Sequence, residues 1–112
     1  MKYVKFLGGS LDDLRRFPLK ARRALGYQID NLQHGFEPDD WKSMSSVGTG
    51  VCEIRVRDET GAWRAIYLAR LPEAIYVLHC FQKKTQKTLK SDIDLARERL
   101  SGLLSVKTRR TK

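Results

Sequence analysis

Hydrophobic positions change their period several times along the chain, and each change marks an element. The first stretch, YVKFL (Tyr3 to Leu7), alternates Val4 and Phe6 against Tyr3 and Lys5, the period-two pattern of a short strand with one buried face. Gly8 and Gly9 end it. Ser10 followed by Asp13 forms a capping-box pattern, with Leu11 and Leu14 on one face of a short helix. Pro18 closes this helix at Phe17 and opens another. There Leu19, Arg22, Leu25, Ile29 and Leu32 recur at helical spacing, and Gly35 stands where a C-terminal glycine belongs.

The segment FEPDDWKSMSSVGTG is polar and rich in turn residues, so it reads as loop or irregular strand. A clear β pattern follows. VCEIRVR puts Cys52, Ile54 and Val56 on one face and Glu53, Arg55 and Arg57 on the other. DETGA is a hairpin loop with Gly61 at the position needing positive φ. WRAIYLARL and AIYVLHCFQ, joined at LPE, are nearly continuous apolar runs suited to central strands under helices. From about Leu89 to Leu104, a stripe of Leu89, Ile93, Ala96, Leu100, Leu103 and Leu104 predicts an amphipathic helix. Beyond it, VKTRRTK reads as a frayed basic tail. The expectation is one domain over residues 1–105 with a tail over 106–112. Its class is α+β: a small antiparallel sheet of an N-terminal strand and a three-stranded meander, with two N-terminal helices and one C-terminal helix.

Charge changes this picture by pointing to a partner. The 112 residues carry a net charge of +9, which favours an acidic partner such as nucleic acid, a membrane surface or an acidic protein. The excess is concentrated: Val77 to Lys112 holds ten Lys/Arg against three Asp/Glu. The two cysteines, Cys52 and Cys80, lie in apolar strand runs without metal-ligand spacing and are expected to be reduced core residues. Acidic residues are scattered, so no metal site and no cofactor are expected. No window has the length of a membrane span or the pattern of a signal peptide, so a cytoplasmic protein is expected.

Two sets of residues carry candidate chemistry. Arg55 and Arg57 share a strand face, Arg64 lies just past the hairpin, and Lys83, Lys84 and Lys87 leave the last strand. If the hairpin pairs as its loop suggests, Arg57 and Arg64 approach each other. Fixed guanidinium and ammonium groups on a sheet make a phosphate cradle, since arginine donors match phosphate oxygens; the plainer reading is a solubilising polar face. His79 and Phe81 point to one side of the last strand. The histidine has the chemistry of a proton carrier and the phenylalanine that of a stacking platform, although both residue types are also ordinary semi-buried core.

The stretches VGTGVCEIRVRDETGAWRAIY and IYVLHCFQKKTQKT resemble the RelE/ParE toxin superfamily, and within it the phage-derived HigB-like branch of type II toxin–antitoxin systems. The resemblance spans nearly the whole chain, from about Lys2 to Leu104. It implies an antiparallel sheet flanked by helices, and an mRNA endoribonuclease that works in the ribosomal A site without a metal. In such chemistry a ribose 2′-hydroxyl attacks the adjacent phosphate and leaves a 2′,3′-cyclic phosphate. It also implies a helix-turn-helix antitoxin as partner. By position, Arg55 and Arg57 match the family's basic central strand, Arg64 its arginine after the hairpin, and Lys83 and Lys84 its terminal basic pair. From these matches, and from the side-chain chemistry of His79, Phe81 and Lys87 noted above, Arg64, Arg55, Lys83 and His79 are expected to serve catalysis, and Arg57, Phe81, Lys84 and Lys87 to bind RNA. Two departures stand out: no tyrosine follows the last strand, and Glu53 takes a position that is basic elsewhere. The superfamily also contains non-enzymatic gyrase poisons, and an inactive member that only binds RNA or antitoxin fits the same fold.

Overall fold

A computed structural model of the chain describes residues 1–110. The elements run β1 (Tyr3–Phe6), α1 (Ser10–Arg15), α2 (Leu19–Gln33), β2 (Trp41–Ser43), β3 (Val51–Asp58), β4 (Gly61–Leu68), β5 (Ala74–Lys83) and α3 (Lys90–Arg110). The five strands form one sheet in the order β1-β5-β4-β3-β2. The meander β3-β4-β5 is antiparallel as expected. The N-terminal strand, however, joins the free edge of β5 in parallel, Val4 beside Ile75 and Phe6 beside Val77, so the sheet is mixed.

Three other local expectations change. Ser10 does not cap α1, whose N-cap is Gly9. Its hydroxyl is buried and instead donates to the Val77 carbonyl at 3.2 Å, because a buried donor needs a partner more than an exposed helix end does. The polar segment after α2 contributes a real edge strand. β2 pairs with β3, Lys42 beside Glu53, and the ladder is prolonged by Met44 N–H donating to the Val51 carbonyl at 2.8 Å and Arg55 N–H to that of Asp40 at 3.0 Å. Finally, α3 continues past the leucine stripe to Arg110, so most of the expected frayed tail is helical. Lys107 reaches back to the Glu73 carboxylate in the β4–β5 turn. Thr111 and Lys112, the end of that expected tail, lie outside the described residues.

Helices pack on both faces of the sheet. Under one face α1, α2 and the turn between them pack Leu14, Phe17, Ala21, Leu25 and Ile29 onto Ile54, Trp63, Ala65 and Ile75. On the other, α3 brings Ala96 and Leu100 against Ile66, Leu68, Tyr76 and Leu78. Burial on both faces explains why β4 and β5 are nearly continuous apolar runs. Between Ile66 and Tyr67 the β4–β5 register shifts, their partners being His79 and Val77. The extra residue turns Leu78 and His79 toward the same side, the one that faces α3. Cys52 and Cys80 are free. Burial pushes the Cys80 thiol up to about 12, so it stays protonated.

Candidate active site

On its α3-facing side the sheet is only half covered. α3 seals the end that holds Ile66, Leu68 and Leu78, and beyond it the strands toward the β3–β4 hairpin carry cations. Alternation along β3 sends Glu53, Arg55 and Arg57 to this side, since Cys52, Ile54 and Val56 pack under the sheet. Arg55 lies directly opposite Arg64 across the β3–β4 ladder, and Arg57 stands opposite Ala62. The closest cross-strand partner of Arg64 is therefore Arg55 and not Arg57, because the two-residue turn at Glu59–Thr60 sets the pairing one step further from the loop than expected. Across β4, Arg64 faces Phe81 and Ala62 faces Lys83.

These strands and the segment after β5 enclose a groove of about 530 Å³. Arg55, Arg57, Arg64, Lys83 and Lys84 all line it, with Gly61, Ala62, Thr85 and Gln86. Five of the residues singled out from sequence thus share one cavity. Gly61 adopts φ +137°, and a Cβ there would lie 2.6 Å from the Gln82 side chain, so the hairpin needs glycine to bring β4 and β5 together at the rim.

The floor of the groove is unusual for cations. Arg64 is only 4% exposed; its Nη1 donates to the Trp63 carbonyl at 3.1 Å, and its Nε lies 3.4 Å from Glu53 Oε1. Glu53 is itself 1% exposed, with Arg55 Nε 4.0 Å away. Burial pushes the Glu53 carboxyl up, while Arg64, Lys83, Arg55 and Lys42 hold it down. Burial likewise lowers Arg64, opposed by Glu53, yet a guanidinium starts so high that it stays a cation. Lys83 is lowered by desolvation first and then by the positive charges of Arg64, Arg55 and Lys42, with Glu53 opposing. Glu53 Oε2, Arg55 Nε and Arg64 Nε are buried atoms without a hydrogen-bond partner. Donors fixed by packing and short of acceptors suit an incoming anion.

His79 and Phe81 occupy another place. The two rings stack, centroids 5.0 Å apart and planes 12° from parallel. His79 Nε2 lies 2.7 Å from Asp92 Oδ1 in the first turn of α3. Both rings are buried in the seam between β5 and α3 and neither lines the groove. The geometry thus makes His79 a tie between sheet and helix. Lys87 also stands apart, lining an adjoining cleft of about 380 Å³ with Lys42 and Lys83. Lys42 had no place among the sequence candidates, because its segment is too polar and turn-rich to read as a strand. The one signal for it was the alternation Trp41–Lys42–Ser43. Among the described residues, no group of three His, Cys, Asp or Glu side chains is placed to hold a metal ion, and no helix is long and apolar enough to cross a membrane.

Fold and groove together define a small basic α+β domain with a cation-lined cleft on its sheet. The family described as Phage derived protein Gp49-like (DUF891) matches residues 12–101, and the chain belongs to it. That family sits in the RelE-like, phage-derived toxin–antitoxin group. No curated protein matches the chain.

Proposed function

We propose that this protein is the toxin of a type II toxin–antitoxin system of the HigB-like branch, and that it is a metal-independent endoribonuclease cutting mRNA on the ribosome. The observation that supports this most is the convergence of Arg55, Arg57, Arg64, Lys83 and Lys84 on one groove, with the Glu53 carboxylate buried beneath them. A backbone carrying one charge per phosphate meets five cations there, and among the described residues no acidic side chain lines the groove.

In the proposed reaction the 2′-oxygen forms a bond to the adjacent phosphorus, and the bond from phosphorus to the 5′-oxygen breaks. The 2′ proton passes to solvent, to which the groove is open, and the 5′-oxygen takes a proton as it leaves. Arg64 is held from behind by Glu53 and the Trp63 carbonyl, so its remaining donors are fixed in place before substrate arrives. Fixed donors stabilise the added charge of a phosphorane without reorganising, and this is often the largest single contribution to rate. Arg55 supplies the second guanidinium across the ladder. Lys83, with its pKa lowered by desolvation and neighbouring cations, is a better acid than an ordinary lysine and fits the role of donor to the 5′-oxygen. Arg57 and Lys84 at the rim hold flanking phosphates. A helix-turn-helix antitoxin would be the neutralising partner.

The test is incubation of the purified protein with programmed ribosomes and end analysis of the mRNA. Fragments ending in 2′,3′-cyclic phosphate are expected, with and without chelator. Intact mRNA beside undiminished toxicity in cells would turn the assignment toward a gyrase poison.

A further inference from the structure

The groove does not stop at Lys83. The adjoining cleft of about 380 Å³ shares Lys83 and Gln86 with it, and its walls come from β2, the segment that follows β2, and the approach to α3. Lys42, Ser45, Ser46, Lys87 and Thr88 provide its polar lining, and Met44 and Ile93 its apolar part. Among the described residues, no acidic one lines it. Lys42 is close enough to Glu53 and Lys83 to affect the ionisation of both, so the two cavities lie in one electrostatic field.

We propose that this second cleft is a nucleotide subsite, holding the residue of a single RNA strand next to the one whose phosphate lies over Arg64. The proposal rests on the reading of the main groove as an RNA-cleaving site. Each part of a nucleotide finds its counterpart: Lys42 and Lys87 for phosphate, serine and threonine hydroxyls for the ribose hydroxyl, and the partly exposed Ile93 side chain for the face of a base. Hydroxyls both donate and accept, so they do not favour one base edge over another. The subsite therefore grips backbone and sugar and is tolerant of sequence. A strand lying across both clefts is fixed at two points, which holds the scissile phosphate against Arg64.

The experiment uses the full chain and non-cleavable 2′-O-methyl RNAs: two hexanucleotides of unrelated sequence, and a dinucleotide with one internal phosphate. Binding is followed by titration at several salt concentrations for the native protein, for Lys42→Ala/Lys87→Ala, and for Arg55→Ala/Arg57→Ala. Both lysines are exposed, and a thermal midpoint equal to that of the native protein confirms the fold. The lysine variant should lose roughly 1.4 from the log–log salt slope for either hexanucleotide, about 0.7 for each lost phosphate contact. The loss should be equal for the two sequences, and dinucleotide affinity should hold. An unchanged hexanucleotide slope, or an equal loss for the dinucleotide, overturns the subsite. If in that case Arg55→Ala/Arg57→Ala still weakens every RNA, the main groove keeps its assignment. A native protein that binds none of the RNAs at low salt overturns both.

Discussion

The α3-facing side of the sheet is built from the same three strands throughout, yet its two ends obey different physics. At the covered end Ile66, Leu68 and Leu78 are fully buried against Ala96 and Leu100, and transfer of apolar surface from water holds α3 in place. At the uncovered end the same strand faces carry Glu53, Arg55, Arg57, Arg64 and Lys83. Two of these, Glu53 and Arg64, are as buried as the leucines. A buried ion pair contributes little net stability, because desolvation offsets most of its attraction. The covered end therefore stabilises the fold, and the uncovered end holds charge in a fixed geometry that the fold itself does not require.

The largest effect should come from removing the cover. Truncation before Ile93 exposes the sheet and strips Ile93, Leu100 and Leu103 from the core, at about 1.5 to 3 kcal/mol each, against a total stability of about 5 to 15 kcal/mol. The truncated chain should show no cooperative thermal transition, and a sharp one would mean that α3 is an accessory. Next comes a pair of substitutions on the same face. Leu78→Ala, at a fully buried position, should cost about 2 to 5 kcal/mol, whereas Arg57→Ala, exposed at the rim, should stay within about 0.5 kcal/mol. Urea denaturation of the two variants reads the contrast directly, and similar losses would erase the distinction between the two ends.

Smaller changes sharpen it. Replacing Lys83, Lys84 and Lys87 together should lower the salt slope of ribosome or RNA binding by roughly 2, at about 0.7 for each single-strand phosphate contact, with little change in thermal midpoint. An unchanged slope would make these lysines solvated decoration. The smallest effect concerns the far end of α3. Lys107, ahead of Tyr76, holds the Glu73 carboxyl down to about 2 from its ordinary 4.5. Because the folded-state value is the lower one, the stabilisation is present above about pH 4.5 and is lost as pH falls toward 2. Amide exchange in the last turns of α3 should quicken over that window and not above it.

The strand–helix order could be read from periodicity because each apolar stripe on α2, α3 and β3 to β5 is set by burial within its own element. What could not be read depends on contacts between elements. The parallel docking of β1 is decided by which sheet edge is free once the meander has formed. The strand at Trp41–Ser43 exists because β3 offers it an edge, not because its own residues favour extension. His79 looked like a candidate proton carrier because its strand is otherwise apolar. Its actual partner, Asp92, lies 13 residues away in sequence and comes near only when α3 folds over the sheet. The cationic residues of β3, β4 and β5 were visible individually, and the polar face of β3 placed Arg55 and Arg57 together. The burial of Arg64 over Glu53 was not visible, since a charge in an alternating strand is normally assumed to face water.

That buried arginine is where the account is most exposed to test. Arg64→Ala alone would leave Glu53 as an uncompensated buried charge, so the comparison is made between Glu53→Gln and Glu53→Gln/Arg64→Ala, both checked for an unchanged thermal transition. Single-turnover mRNA cleavage on a programmed ribosome is measured for each alongside ribosome binding. Loss of a preorganised donor predicts a fall of about 100- to 1000-fold in the cleavage rate with affinity nearly unchanged. Equal losses in rate and affinity, or no loss in either, would contradict a role for Arg64 in the chemical step.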